Sequence, residues 1–168
     1  MSSTIPERVP LGTSTLNRDW YLDVDTASSA SAPTWAGVFG ITNFQYTISA
    51  NNADDGDFDS GGWDSSTKTS QGWSVVATVS RKLQSDVTPA AYDPGQEFLR
   101  TASDQYGNAG RVHIRWYKND DAKVEAYDGW AIVDWAPQGG DRNALDTVQV
   151  TLTGQGARAA ITFPGSAA

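Results

Sequence analysis

Apolar and polar residues alternate with a period of two through most of this chain, a rhythm that restricts it to a fold built on half-buried β-strands. Trp20, Leu22 and Val24 alternate with Tyr21, Asp23 and Asp25, and Phe44, Tyr46 and Ile48 alternate with Gln45, Thr47 and Ser49. Trp73, Val75, Ala77 and Val79 point one way while Ser74, Val76, Thr78 and Ser80 point the other. Further strand-like runs occupy 111–118, 124–127 with 130–135, 148–153 and, weakly, 159–163; Asp128-Gly129 reads as a bulge or turn between two of them.

Two stretches break the rhythm. Residues 50–72, NNADDGDFDSGGWDSSTKTSQG with the preceding Ala50, lack alternation and far exceed what a hairpin turn requires, so a long loop is expected between two paired strands. Residues 93–107 predict the one helix. Asp93 serves as N-cap, Pro94 takes the first helical position and Gln96 stands where a capping box would close. Phe98, Leu99, Ala102 and Tyr106 make its apolar stripe, and Gly107 stops it.

The length of 168 residues suits one domain, here 17–164, with a real core. Residues 1–16 and 165–168 have too little apolar content to fold alone and read as a flexible N-terminal arm and a flexible C-terminal tail. Without cysteine there is neither a disulfide framework nor a thiolate metal site. Neither a signal-peptide pattern nor a long apolar run suggests export or a membrane partner. The formal charge of -8 argues against tight binding of duplex DNA through its phosphates. Residues 1–66 hold nine acids against two bases, so the acidity sits mostly in that part.

Candidate chemistry yields to simpler readings. Asp54, Asp55, Asp57, Asp59 and Asp64 suggest a calcium loop, but counting from Asp55 puts Ser60 where an EF-hand needs glycine and Ser66 where it needs glutamate. Glu97, Glu125, Asp128 and Asp134 beside seven tryptophans would suit a glycosidase, yet Glu97 fits the first turn of the helix and Asp128 a turn. A carbohydrate-binding sandwich is the stronger alternative, although Trp20, Trp35, Trp73 and Trp116 lie on the apolar phase and read as core. Trp63, alone with Phe58 in the polar loop, reads as an interface anchor. His113, the single histidine, shares a strand face with Arg111, Arg115 and Tyr117 and reads as surface. No nucleophile motif, glycine-rich phosphate loop or cofactor signature is present, so no cofactor and no reaction are expected.

Seven segments in order resemble the major tail tube proteins of long-tailed, siphovirus-type bacteriophages. They are Asp19-Trp20-Tyr21-Leu22, Gly40-Ile41-Thr42-Asn43-Phe44, Asp59-Ser60-Gly61-Gly62-Trp63, Thr67-Lys68-Thr69, Tyr92-Asp93-Pro94-Gly95-Gln96, Val112-His113-Ile114-Arg115-Trp116-Tyr117 and Leu152-Thr153-Gly154-Gln155-Gly156. The resemblance implies a mainly β, two-sheet sandwich or barrel with one flanking helix, assembled into six-membered rings that stack into a tube for DNA. It further implies a place in the virion tail after synthesis in the host cytoplasm, with tape-measure, terminator and baseplate proteins as partners.

Two sets of residues would then matter. The loop with Asp54, Asp55, Asp57, Phe58, Asp59, Trp63 and Asp64 is expected to reach the neighbouring ring. One strand phase, Gln45, Thr47, Ser49, Ser74, Thr78, Ser80, Thr147, Gln149, Thr151 and Thr153, is expected to line the lumen, because it holds small polar side chains and no base.

Overall fold

The computed structural model describes residues 4–27 and 32–165. Positions 1–3 of the expected arm and 166–168 of the expected tail lie outside the described residues, while 4–16 are exposed and carry neither helix nor strand. The described residues form eight strands: β1 (Trp20–Asp25), β2 (Trp35–Gly37), β3 (Ile41–Asp54), β4 (Ser66–Ser80), β5 (Arg111–Lys118), β6 (Ala126–Pro137), β7 (Thr147–Gly154) and β8 (Ala159–Ala160). The one α-helix among the described residues, α1 (Pro94–Ser103), lies between β4 and β5.

Hydrogen bonding joins the strands into one antiparallel sheet in the order β2-β1-β5-β6-β7-β4-β3, with β8 alongside β6. The sheet folds over itself to make the two layers that the sequence led us to expect. β6 is the crease, pairing with β5 from Ala126 to Ile132 and with β7 from Ala131 to Pro137. The fold-over brings Trp20 of β1 against Phe44 of β3, rings stacked at 5.3 Å, although the two strands stand near opposite ends of the sheet order.

Between the layers lies one core. Val75, Ala77, Val79, Val148, Val150 and Leu152 face Leu22, Val24, Val112, Ile114 and Trp116. A fully buried aliphatic side chain is worth about 1.5–3 kcal/mol, so strict alternation on β4, β5 and β7 suffices to fix which face turns inward. Aromatic rings fill one end: Trp73 lies 4.8 Å from Trp116, and Tyr46 lies 5.3 Å from Trp116. Two glycines make room for Trp73. A Cβ at Gly129 would stand 2.6 Å from the indole, and one at Gly154 2.3 Å. Gly129 is therefore neither bulge nor turn: Asp128 and Gly129 pair in register with Arg115 and Ile114 inside an unbroken β6, and the glycine is needed for close approach.

α1 closes the other end with Leu99 and Ala102 buried. Asp93 caps it, accepting from the Gln96 backbone N–H at 3.0 Å. Gln96 does not complete the expected box. Gln96 is 2 % exposed, and its side-chain amide donates instead to the carbonyls of Phe39 at 2.6 Å and Ser80 at 3.2 Å, tying the helix to the β2–β3 connection and to the end of β4. The helix also ends at Ser103, short of the expected 107, because Tyr106 points into solvent at 93 % exposure and supplies no packing to extend it.

Trp35 departs from the expectation of core. It lies on the outer side of β2, where the Arg115 guanidinium covers its ring at 4.5 Å.

The largest departure concerns 50–72. β3 and β4 run through most of that stretch, pairing from Ile41↔Val79 out to Asp54↔Ser66, so the loop itself is only 55–65. The alternation fails there because no third strand and no core cover the ribbon: β7 reaches β4 only from Ser74 to Ser80. Both faces of 49–54 and 66–72 are exposed, so neither face demands apolar residues.

Candidate functional site

Beyond Ser49↔Gly72 the hairpin leaves the body as a two-stranded ribbon of five residue pairs, projecting about 17 Å at about 3.3 Å per residue. Its tip is braced internally. Gly56 N–H donates to Asp54 Oδ1 at 2.9 Å, Asp59 N–H to Asp57 Oδ1 at 3.0 Å, and Asp57 N–H to Ser60 Oγ at 2.9 Å. The Asp55 carboxylate accepts from Thr67, and hydrogen bonds from Ser65 and Thr67 hold it below the usual carboxylate range. Gly61 and Gly62 adopt φ of 61° and 82°, a left-handed turn open to glycine. Three of the five aspartates are thus used on local donors, while Phe58 and Trp63 stand 107 % and 84 % exposed. The structure groups all seven loop residues named from sequence at the end of a paired ribbon rather than along one long loop.

The ten residues of the polar strand phase also come together. Thr47, Ser74 and Thr153 stand side by side across β3, β4 and β7, as do Thr78 and Gln149, and Ser80 and Thr147. Gln45 and Thr151 flank Val76, while Ser49 pairs with Gly72 at the root of the ribbon. Register extends this face onto β6, adding Ile132, Asp134 and Ala136 beside Thr153, Thr151 and Gln149. It also adds Asn43 beside Thr78. Sequence reasoning missed these because alternation gives the phase of a strand and not its neighbour. Asp134 is the one charge on the extended face, and no ion pair lies on it among the described residues. The outer edge of β3 has no strand partner among the described residues, although the Asn17 side-chain amide donates to the Phe44 carbonyl at 3.2 Å.

The opposite layer carries a different outer face. Arg115, Trp35, His113, Trp130 and Arg111 stack in file, with separations of 4.5, 4.9, 5.0 and 5.0 Å. His113 is held rather than freely exposed: Nε2 lies 3.0 Å from Asp128 Oδ2 and Nδ1 3.6 Å from Asp25 Oδ2. Asp23 accepts from Arg115 Nε at 2.8 Å and from the Tyr117 hydroxyl at 3.2 Å. Burial, and then the Asp23 charge, push the Tyr117 phenol up to about 12. Each acid of this face has a neighbouring strand partner, so Asp128 is spent on His113, while Glu97 binds Arg81 and Arg100 elsewhere. The carboxylates weighed for hydrolysis do not converge on one cleft.

No family model and no curated protein matches the chain. Solved structures do match. A chain in the tail of an empty GTA particle, refined helically with C6 symmetry, superposes with a TM-score of 0.63 at 12% identity, over 88% of this chain and 99% of that one. A chain of the SPP1 tail tube gives 0.59 at 14% identity, over 87% and 79%. One from the six-fold symmetrised baseplate of the anti-feeding prophage gives 0.57 at 11%, over 89% and 98%. The chain therefore has the fold found in chains of these tail and baseplate assemblies: mainly β, with one α-helix among the described residues.

Proposed function

We propose that this protein is the tail tube subunit of a long-tailed bacteriophage, assembling as hexameric rings that stack into the conduit for the genome. The observation that carries the reading is the uncharged polar face of β3, β4 and β7, set in register beside a free β3 edge, in a fold shared with tail assemblies of six-fold symmetry. An edge with no strand partner among the described residues is a template for another strand, and closing it against a neighbour in a ring removes a hazard that a monomer would carry. Six copies giving about four strands each would make a barrel of roughly 24 strands, about 50 Å across at a tilt of about 45°. Side chains would narrow it to about 40 Å, still wide enough for duplex DNA.

The polar face then lines the lumen. Each basic side chain there would neutralise a phosphate and add counterion-release affinity, so a lining without Lys or Arg leaves DNA mobile. The projecting hairpin meets the adjacent ring, since a two-stranded ribbon with no apolar face is marginal alone and gains from a partner surface. Terminator, baseplate and tape-measure proteins are its further partners in the virion tail. The role is structural and uses no cofactor and no reaction.

Negative-stain microscopy of the purified protein is the direct test: rings or tubes are expected, and a strictly monomeric protein under all conditions defeats the reading. Lys at Thr47, Thr78 and Thr151 tests the lumen. Tubes should still form, but virions carrying them should eject DNA slowly, and normal ejection would place this face outside.

A further inference from the structure

The tail-tube reading requires rings to stack without end, which a surface that pairs only with itself cannot do; the two ends of the subunit must differ and fit each other. One end is the hairpin tip. Strand register identifies the other. Ile41 pairs with Val79, Ser80 with Thr147 and Pro137 with Val148, so the loops 81–93 and 138–146 leave the body at the end opposite the tip. Along β3 from Ile41 to Asp54 that separation is about 43 Å, at about 3.3 Å per residue.

These loops form a braced platform. Gln84 N–H donates to the Ala91 carbonyl at 2.7 Å, Leu83 bridges to Tyr92, and Arg81 N–H reaches across to the Asp146 carbonyl at 3.0 Å, joining the two loops. Arg81 itself is fixed beneath by Glu97 at 2.5 Å and lies 3.8 Å over the Tyr92 ring. On this rigid support Leu83, Val87 and Leu145 stand 57 %, 44 % and 84 % exposed. Lys82 and Arg142 beside them are exposed and make no ion pair among the described residues. The tip offers the counterpart: two aromatic rings in solvent, and Asp59 and Asp64 likewise outside any ion pair. The platform also carries the exposed acids Asp86, Asp141 and Asp146, so net charge does not draw the acidic tip to it; the apolar groups supply the contact, and Lys82 and Arg142 are the only platform charges of a sign that can meet Asp59 and Asp64.

Resting on the tail-tube reading, we infer that the Leu83–Val87–Leu145 platform is the seat for the Phe58–Trp63 tip of a second copy in the next ring. Head-to-tail docking of this kind propagates along the tube axis, and burying two aromatic rings against three aliphatic side chains gives it a dry centre within a polar rim.

The absence of native cysteine makes a clean test possible. The paired variants Trp63→Cys/Leu145→Cys and Trp63→Cys/Leu83→Cys, assembled and then oxidised, are expected to give a ladder of covalent multimers, because a disulfide needs Cα atoms within about 7 Å. Each single variant, and the pair Trp63→Cys/Val124→Cys, should give none. Separately, Leu83→Asp/Leu145→Asp should raise the protein concentration needed for tubes at least about tenfold, with an unchanged thermal midpoint. Tubes that form normally while neither pair cross-links overturn the inference and leave the tail-tube reading intact. Dimers from Trp63→Cys alone overturn it in favour of tip-to-tip pairing. If the parent protein forms neither rings nor tubes, both readings fail together.

Discussion

The two outer faces of the folded sheet are built from the same backbone and contrast in every other respect. On β3, β4 and β7 the outward residues are Thr, Ser, Gln and Asn around the one aliphatic Val76, set row against row and engaged in no ion pair among the described residues. On β1, β2, β5 and β6 the outward residues are Asp, Arg, His, Trp and Tyr, locked into stacks and ion pairs. The inner sides of both layers are equally apolar, so folding does not account for the difference. A face whose side chains have been satisfied at home is finished as a surface. The face of β3, β4 and β7 instead leaves its hydroxyls and amides outside any such network of ion pairs and stacked rings.

The comparison can be broken at the joint between the layers, where the largest effect is expected. Gly154→Ala puts a Cβ 2.3 Å from the Trp73 indole, whose Nε1–H donates to the Gly156 carbonyl at 2.9 Å. Chemical denaturation should show a loss of about 3 kcal/mol from overpacking at this site. A loss below about 0.5 kcal/mol would mean the layers slide freely on Trp73.

Next comes the knitted face itself. Asp23→Ala leaves the Arg115 guanidinium, 21% exposed, without its carboxylate, and should cost about 2 kcal/mol. The same variant should lower the Tyr117 titration from about 12. It should stay above the ordinary phenol value because burial, the larger cause, remains; ultraviolet absorbance of the phenolate reads this directly. An unmoved Tyr117 would show that Asp23 does not act on it.

A smaller, pH-dependent effect belongs to the helix that closes the layers. Hydrogen bonds from Arg100 and Arg81 hold the Glu97 carboxyl below its usual range. Between the folded and unfolded values the unfolded chain binds more protons, so stability rises with pH there. The contribution is present above about pH 4.5 and is lost as pH falls through the depressed folded value. Glu97→Gln should flatten this acid limb in thermal melts taken across it, and an unchanged limb would assign acid lability to other carboxylates.

The smallest effect should come from the smooth face. Thr47→Lys, Thr78→Lys and Thr151→Lys, singly, should move folding stability by no more than about 0.5 kcal/mol, because nothing on that face depends on them. A loss as large as that of Asp23→Ala would erase the distinction between the faces.

Local pattern sufficed wherever one face of a strand meets the core. Trp20, Leu22, Val24, Phe44, Trp73, Val75, Val79 and Val112 each turn inward or pack on the core as alternation requires, and Asp93-Pro94 marks the helix start. The polar phase of β3, β4 and β7 was legible in the same way, as were the aromatics of the hairpin tip. Where neither face is buried, the pattern had nothing to report, which is why a paired ribbon at 50–54 and 66–72 reads as a loop. Trp35 misled for a related reason, since an apolar residue stacked under an arginine outside a sheet has the same phase as one inside.

The sequence by itself determined a β domain with one helix, an acidic aromatic hairpin and a strand phase free of bases, because these depend on residue type at short spacing. Only the tertiary structure decided which strands adjoin, that one sheet folds over at β6 to make both layers, and that Leu83, Val87 and Leu145 gather at the end opposite Trp63. Those outcomes rest on contacts between residues far apart along the chain, selected by how a twisted sheet can close over a shared core, and no local spacing encodes them.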